Sequence, residues 1–256
     1  VNTPDNHDTG NTEDTDVQSH ITRYWSEHGH AYDAHPVSRL HMETGAEQWR
    51  AVWASALPST PADVLDIGTG TGQVAIHLWE LGHRVTGIDL AEGMLDLARH
   101  KAAGLTRPPD FRTGDAVEPP FDEESFDVIT ARYLLWTLRE PSRALARWLE
   151  LLKPGGRLAI VDATWFEHGI DNASETPDRD DFYAAYRPHV VEALTLAEAG
   201  EIAPFVDVVR QAGFHDVRVR QLPEIRAAES ALTRDPDFAD QVDVRMQFLI
   251  TGHRQP

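Results

Sequence analysis

A chain of 256 residues with 41% apolar side chains can bury the core of one large α/β domain or of two small ones. Its formal net charge of −19 argues against nucleic acid as a partner, because phosphate binding needs a basic stripe and none is visible. With no cysteine, disulfides and thiolate metal sites are excluded; no apolar run approaches the roughly 20 residues of a bilayer span and no signal-peptide pattern is visible, so a soluble, cytoplasmic protein without a membrane partner is expected.

Residues 1–17 are mostly Asn, Asp, Thr and Gly, and are expected to form a disordered tail. From Gln18 to Leu57 the pattern is helical, interrupted at Pro36, and Trp49 and Trp53 stand one turn apart on a face expected to be buried. After a linker over 58–62, the apolar run Asp63–Ile67 reads as a strand. It feeds the turn Gly68-Thr69-Gly70-Thr71-Gly72, and a helix is expected from Gln73 to Leu81. A second strand, Arg84–Asp89, ends in an acid placed to accept both hydroxyls of a ribose. Leu90 to Leu95 then begins a helix, on which Met94 and Leu95 could flank a nucleobase.

A third strand is expected over Asp110–Thr113, followed by Gly114-Asp115-Ala116, and a proline-stiffened loop returns into a fourth strand ending at Thr130-Ala131-Arg132-Tyr133. A helix over Ser142–Leu152 stops at Lys153-Pro154-Gly155-Gly156, which leads into a fifth strand, Arg157–Asp162. Between about 163 and 195 the β/α rhythm breaks into scattered aromatics, acids and prolines. An insertion of that length at the carboxyl end of a strand is expected to cap a substrate pocket. A helix (Ala197–Gln211), a strand (Asp216–Leu222) and a last strand (Met246–His253) complete the chain, and 223–244 carries no assignment.

The glycine loop decides between nucleosides. A dinucleotide fingerprint, G-x-G-x-x-G, needs glycine where Gln73 stands, whereas here the glycines alternate and Asp66 precedes them by two residues. That carboxylate would repel a pyrophosphate and suits a cationic amino-acid ligand. The pattern resembles the first motif of class I S-adenosylmethionine-dependent methyltransferases of the small-molecule type. The resemblance continues through Asp89, Asp115, the Val117–Ile129 rhythm and Leu152-Lys153-Pro154-Gly155-Gly156-Arg157-Leu158.

The resemblance implies a Rossmann-like, doubly wound, seven-stranded sheet, mostly parallel with an antiparallel last strand. An N-terminal helical lid (18–57) would precede a methyltransferase domain (58–256) that carries the cap. It places S-adenosylmethionine, with S-adenosylhomocysteine as product, among Tyr24, Tyr32, Asp66, Gly68, Thr69, Gly70, Gly72, Asp89, Leu90, Met94, Gly114, Asp115, Ala116 and Arg132. Asp115 would accept from the adenine amine and Arg132 would pair the carboxylate. The expected acceptor is a small molecule, such as a secondary metabolite, held by Trp25, Trp136, Trp165, Tyr183 and Tyr186 and methylated on N, O or C. Methyl transfer rests on alignment and water exclusion, so a base is optional; His168, His189, His35 and Asp162 are the candidates. A metal is not expected, because no second carboxylate is set to join Asp162. A homodimer is an admissible assembly. A cyclase or decarboxylase that keeps the cofactor, a nicotinamide oxidoreductase and a silent scaffold stand as the alternatives.

Overall fold

The computed structural model describes residues 9–166, 169, 179–236 and 244–256, with side chains described from Val17 onward except at 179 and 180. Seven strands form one sheet: β1 (Asp63–Ile67), β2 (Arg84–Asp89), β3 (Asp110–Thr113), β4 (Phe126–Arg132), β5 (Leu152–Ala163), β6 (His215–Gln221) and β7 (Gln247–His253). Their order is β3-β2-β1-β4-β5-β7-β6, with β7 antiparallel to both its neighbours and the rest parallel. The fold class read from the sequence is the one observed.

Apolar continuity makes the central strands. Val64, Leu65 and Ile67 of β1 and Val128, Ile129 and Ala131 of β4 are all fully buried, as parallel strands covered on both faces must be. The chain winds from β1 outward through β2 to β3, then crosses back to β4 on the other side of β1. That reversal leaves a crevice at the carboxyl ends of β1 and β4, where Ile67 pairs with Ala131. Gly68 and Arg132, the next residues on each strand, therefore enter the crevice side by side.

Ten α-helices are described: α1 (Thr9–Ala34), α2 (Pro36–Met42), α3 (Ala46–Ala56), α4 (Gln73–Glu80), α5 (Glu92–Ala102), α6 (Pro141–Leu151), α7 (Arg179–Ala185), α8 (Pro188–Glu192), α9 (Ala203–Gln211) and α10 (Pro223–Leu232). Helix α1 begins at Thr9, inside the stretch read as a tail. Its first described side chain, Val17, is buried in the main core together with Ile21, which gives this end of the helix an apolar anchor. Pro36 ends α1 and opens α2, with His35 as the cap whose Nδ1 accepts from the Val37 N–H at 3.3 Å. Trp49 and Trp53 share the buried face of α3.

Several boundaries differ from the sequence reading. Strand β5 starts at Leu152, so Lys153-Pro154-Gly155-Gly156 lies within it as an irregularity in the β4–β5 register, with Gly155 at φ 75°. Helix α9 starts at Ala203, because Pro204 can occupy only the first turn of a helix. The stretch after β5 expected to form a cap contains regular structure, α7 and α8, and the unassigned stretch contains α10.

Candidate functional site

The site is built first by the turn after β1. Gly68, Gly70 and Gly72 all have positive φ (65°, 52° and 81°), which a glycine adopts without strain. At Gly70 an added Cβ would meet nothing within 4 Å, so the backbone there is open to a ligand. Gly72 is different: its Cβ would sit 2.9 Å from that of Ala98, so this glycine serves the packing of α4 against α5. Asp66 is buried behind the turn, with its oxygens accepting from the hydroxyls of Thr69 (2.6 Å) and Thr130 (2.8 Å). Burial raises its pKa to about 6 against the pull of those two hydrogen bonds.

Asp89 closes β2 beside the turn. One oxygen accepts from the Gly70 N–H and the other from the Ala91 N–H, each at 2.9 Å. A carboxylate oxygen has a second lone pair, so each can still accept from a hydroxyl. Burial pushes the Asp89 pKa up, and those backbone N–H groups oppose it.

A cavity of about 310 Å³ extends from this turn. Its lining includes Gly68, Thr69, Gly70, Asp89, Leu90, Met94, Gly114, Asp115 and Ala116, together with Tyr32, Arg132 and the aromatic residues Trp25, Trp136, Trp165, Phe166 and Phe182. Several of the aromatic rings form a continuous cluster. Trp136 lies 5.4 Å from Phe166 and 6.3 Å from Trp165 between ring centroids, and Phe166 lies 5.9 Å from Phe182. Behind this wall the Tyr186 ring stacks on Phe182 at 4.5 Å, and its hydroxyl accepts from Trp25 Nε1 at 2.9 Å. Trp165 is fixed by donating Nε1–H to Asp162 at 2.7 Å. Asp162 is fully buried, also accepts from the Leu135 and Ala163 N–H groups, and is raised by burial to about 7.

The structure thus brings together most of the residues singled out from sequence, with exceptions. Asp66 and Gly72 shape the turn from behind. Tyr24 stacks on His28 at 4.2 Å and meets Phe182 edge-on, so it supports the wall without lining the cavity. Tyr183 and Tyr186 likewise lie off the cavity surface. Of the histidines, His35 is spent as a helix cap, and His189 lies on an exposed face of α8, edge-on to His20 at 6.0 Å. Neither reaches the cavity, and His168 lies outside the described residues. Asp162 acts on the wall through Trp165.

Other lining residues were not singled out. Gln18, Ile21 and Thr22 form with Trp25 one stripe of α1, and the helical spacing around Trp25 was a usable signal. Phe166 and Phe182 belong to the aromatic-rich stretch after β5. Tyr133 also lines the cavity, in a left-handed backbone conformation (φ 57°) uncommon for a bulky residue and with its hydroxyl pKa pushed well up by burial. No spacing rule marks such a residue.

Positive charge in the cavity lining is supplied by Arg132, whose guanidinium carbon lies 5.0 Å from the ring centroids of both Trp49 and Tyr133. Its Nη2 donates to Gln73 Oε1 at 2.6 Å and approaches the Tyr32 hydroxyl at 3.5 Å. Helix α1 is tied to the glycine turn nearby: Thr71 Oγ1 donates to Asp33 at 2.6 Å, and Lys101 pairs with the same carboxylate at 2.8 Å. No group of three or more metal-binding side chains occurs among the described residues.

Residues 65–160 match a family model described as "Methyltransferase domain". The demethylmenaquinone methyltransferase of Clavibacter sepedonicus is 34% identical over 144 residues, which are 56% of this chain and 57% of that protein. The ubiquinone/menaquinone biosynthesis C-methyltransferase of Desulfotalea psychrophila is 32% identical over 197 residues, covering 70% of this chain and 77% of that protein. Against several curated relatives the chain spans only about half of their length. Among solved structures, the phosphoethanolamine N-methyltransferase 2 of Haemonchus contortus, in complex with S-adenosyl-L-methionine, superposes with a TM-score of 0.60 at 19% identity, over 82% of this chain and 53% of that one, a likeness of fold. A relative matched over three quarters of its length, together with this strand order and this glycine turn, makes the chain a member of the class I S-adenosylmethionine-dependent methyltransferases.

Proposed function

We propose that this chain transfers a methyl group from S-adenosylmethionine to a small planar acceptor, with a ring carbon of a quinol-type molecule as the favoured target. The observation that carries the reading is the single cavity that joins the glycine turn and Asp89 to a wall of Trp25, Trp136, Trp165, Phe166 and Phe182. The name of the Desulfotalea psychrophila relative, a C-methyltransferase, favours carbon over nitrogen or oxygen.

The cofactor supplies the activated methyl group on its positively charged sulfur. The residues of this chain bind, orient and exclude water. Asp89 would accept from the ribose hydroxyls, Leu90 and Met94 would flank the adenine, Asp115 would accept from its amino group, and Arg132 would pair the amino-acid carboxylate. The aromatic wall would stack the acceptor and keep water out, which leaves proximity and orientation to do most of the catalysis. Transfer to a ring carbon breaks the S–CH3 bond and releases S-adenosylhomocysteine; when the acceptor arrives as its phenolate, the proton that carbon then loses ends on the acceptor's own ring oxygen as the ring regains aromaticity, so the step balances without a base from the chain.

The test is a calorimetric titration with S-adenosylhomocysteine, with NADH as control, on the wild type and on Asp89→Ala. Micromolar binding of the first ligand and not the second is expected. Asp89→Ala should weaken it by about 1–3 kcal/mol, the range for hydrogen bonds to a charged group. Binding of NADH alone, or an unchanged affinity in Asp89→Ala, would refute the cofactor assignment. Turnover of a demethylated quinol, followed by mass spectrometry of the product, then decides the acceptor.

A further inference from the structure

Behind the cavity wall a chain of buried polar groups runs from Arg132 to the C-terminal elements. Arg132 Nη1 lies 3.2 Å from His41 Nδ1. On the far side of that imidazole, Nε2 is 2.8 Å from Glu229 Oε1, which also accepts from Gln247 Nε2 at 2.6 Å. His41, Glu229 and Gln247 are buried, at 2%, 2% and 3% exposure. The groups come from α2, α10 and β7, far in sequence from the glycine turn.

Donor and acceptor chemistry assigns the proton. A guanidinium only donates, so His41 Nδ1 must be the accepting nitrogen, and the ring proton is on Nε2, directed at a carboxylate that accepts it. Glu229 therefore fixes the imidazole, the imidazole fixes one arm of the guanidinium, and Gln73 fixes the other. Burial and the adjacent Arg132 cation hold the His41 pKa well below its usual value, in keeping with a neutral ring. Arg132 is itself only 9% exposed, so its cationic group is held by buried partners.

We infer that His41 and Glu229 are positioning residues for Arg132, forming a carboxylate–imidazole–guanidinium relay that aims Arg132 at the carboxylate of the cofactor's amino-acid end. The inference rests on Arg132 being that anchor, as proposed above. It gives α10, in the stretch without a role in the sequence reading, a task at the cofactor site.

The experiment compares S-adenosylhomocysteine with methylthioadenosine, which lacks the amino-acid carboxylate, by titrating wild type, Arg132→Ala, Glu229→Ala and Glu229→Gln. Glu229→Ala should lose about tenfold in affinity for the first ligand and less than about threefold for the second. Glu229→Gln, whose amide oxygen still accepts from Nε2–H, should recover most of the loss. Equal losses for the two ligands in Glu229→Ala, or no recovery in Glu229→Gln, overturn the relay. Equal losses in Arg132→Ala overturn the anchor instead, which separates the two claims. Should Glu229→Ala fail to fold, long-range proton–nitrogen spectra of the wild type decide. The relay requires His41 to be protonated on Nε2 and its signals to move with S-adenosylhomocysteine but not with methylthioadenosine; an Nδ1–H ring, or equal shifts with both, overturns it.

Discussion

Asp66 shows how one residue can serve a site it does not touch. Its carboxylate is walled in behind the glycine turn and bonded only to two hydroxyls, which can donate or accept as required. Burial moves its pKa from 3.8 to about 6, so the folded chain holds the proton more tightly than the unfolded one. The associated stability is present in full below the unfolded value and is lost as pH rises through about 6. A shift of that size corresponds to at most about 3 kcal/mol. Asp66→Asn keeps a polar group between the two hydroxyls and abolishes the titration. Urea unfolding at pH 4, 5.5 and 7.5 should show the variant gaining on the wild type as pH rises, by about 1–3 kcal/mol across the series. Asp162 titrates over a similar range, but it is common to both proteins and cancels in the difference. A difference that stays flat, or falls with pH, would remove the buried-acid account.

At the scale of elements, helix α1 is held by close packing as well as by the Asp33 contacts. Helices α1 and α5 cross at two glycines. A Cβ added at Gly93 would lie 2.1 Å from the Ser26 carbonyl oxygen, and one at Gly29 would lie 2.9 Å from Leu97 Cδ1. The first obstacle is backbone, which no rotamer change can clear. Gly93→Ala must push α1 outward and should cost about 1–3 kcal/mol of stability, with a parallel loss of S-adenosylhomocysteine affinity because α1 carries Trp25 and Tyr32. Gly104→Ala, where an added Cβ meets nothing within 4 Å, is the matched control and should change stability by less than about 1 kcal/mol. Chemical denaturation and ligand titration of both variants check this. Identical behaviour of the two would mean that the crossing does not set the position of α1.

For the molecule as a whole, legibility in the sequence followed the range of the interactions. The strand, the glycine turn and Asp89 could be read because their chemistry is local: a turn, its φ angles and an acid at the next strand tip. The aromatic wall was legible only in outline, since Phe166 meets Trp136, and Phe182 meets Phe166, through packing of the stretch after β5. The His41–Glu229 pair joins residues 188 apart, and nothing near either announces the other. Net charge also acts over this longest range. The formal charge of −19 spreads repulsion across the molecule, while ion pairs such as Arg84–Asp63 (2.6 Å) and Lys153–Asp127 (2.9 Å) act within contact distance. Salt with a Debye length of about 10 Å at 0.1 M screens the distant repulsions before the contacts, and exposed pairs contribute little individually. Folding brings the acidic groups closer together, so weakening their repulsion favours the folded chain. The Tm should therefore rise as sodium chloride increases from about 10 mM to about 150 mM. Scanning calorimetry at fixed pH 7.5 checks it; a Tm that falls over this interval would mean that the local pairs outweigh the global charge.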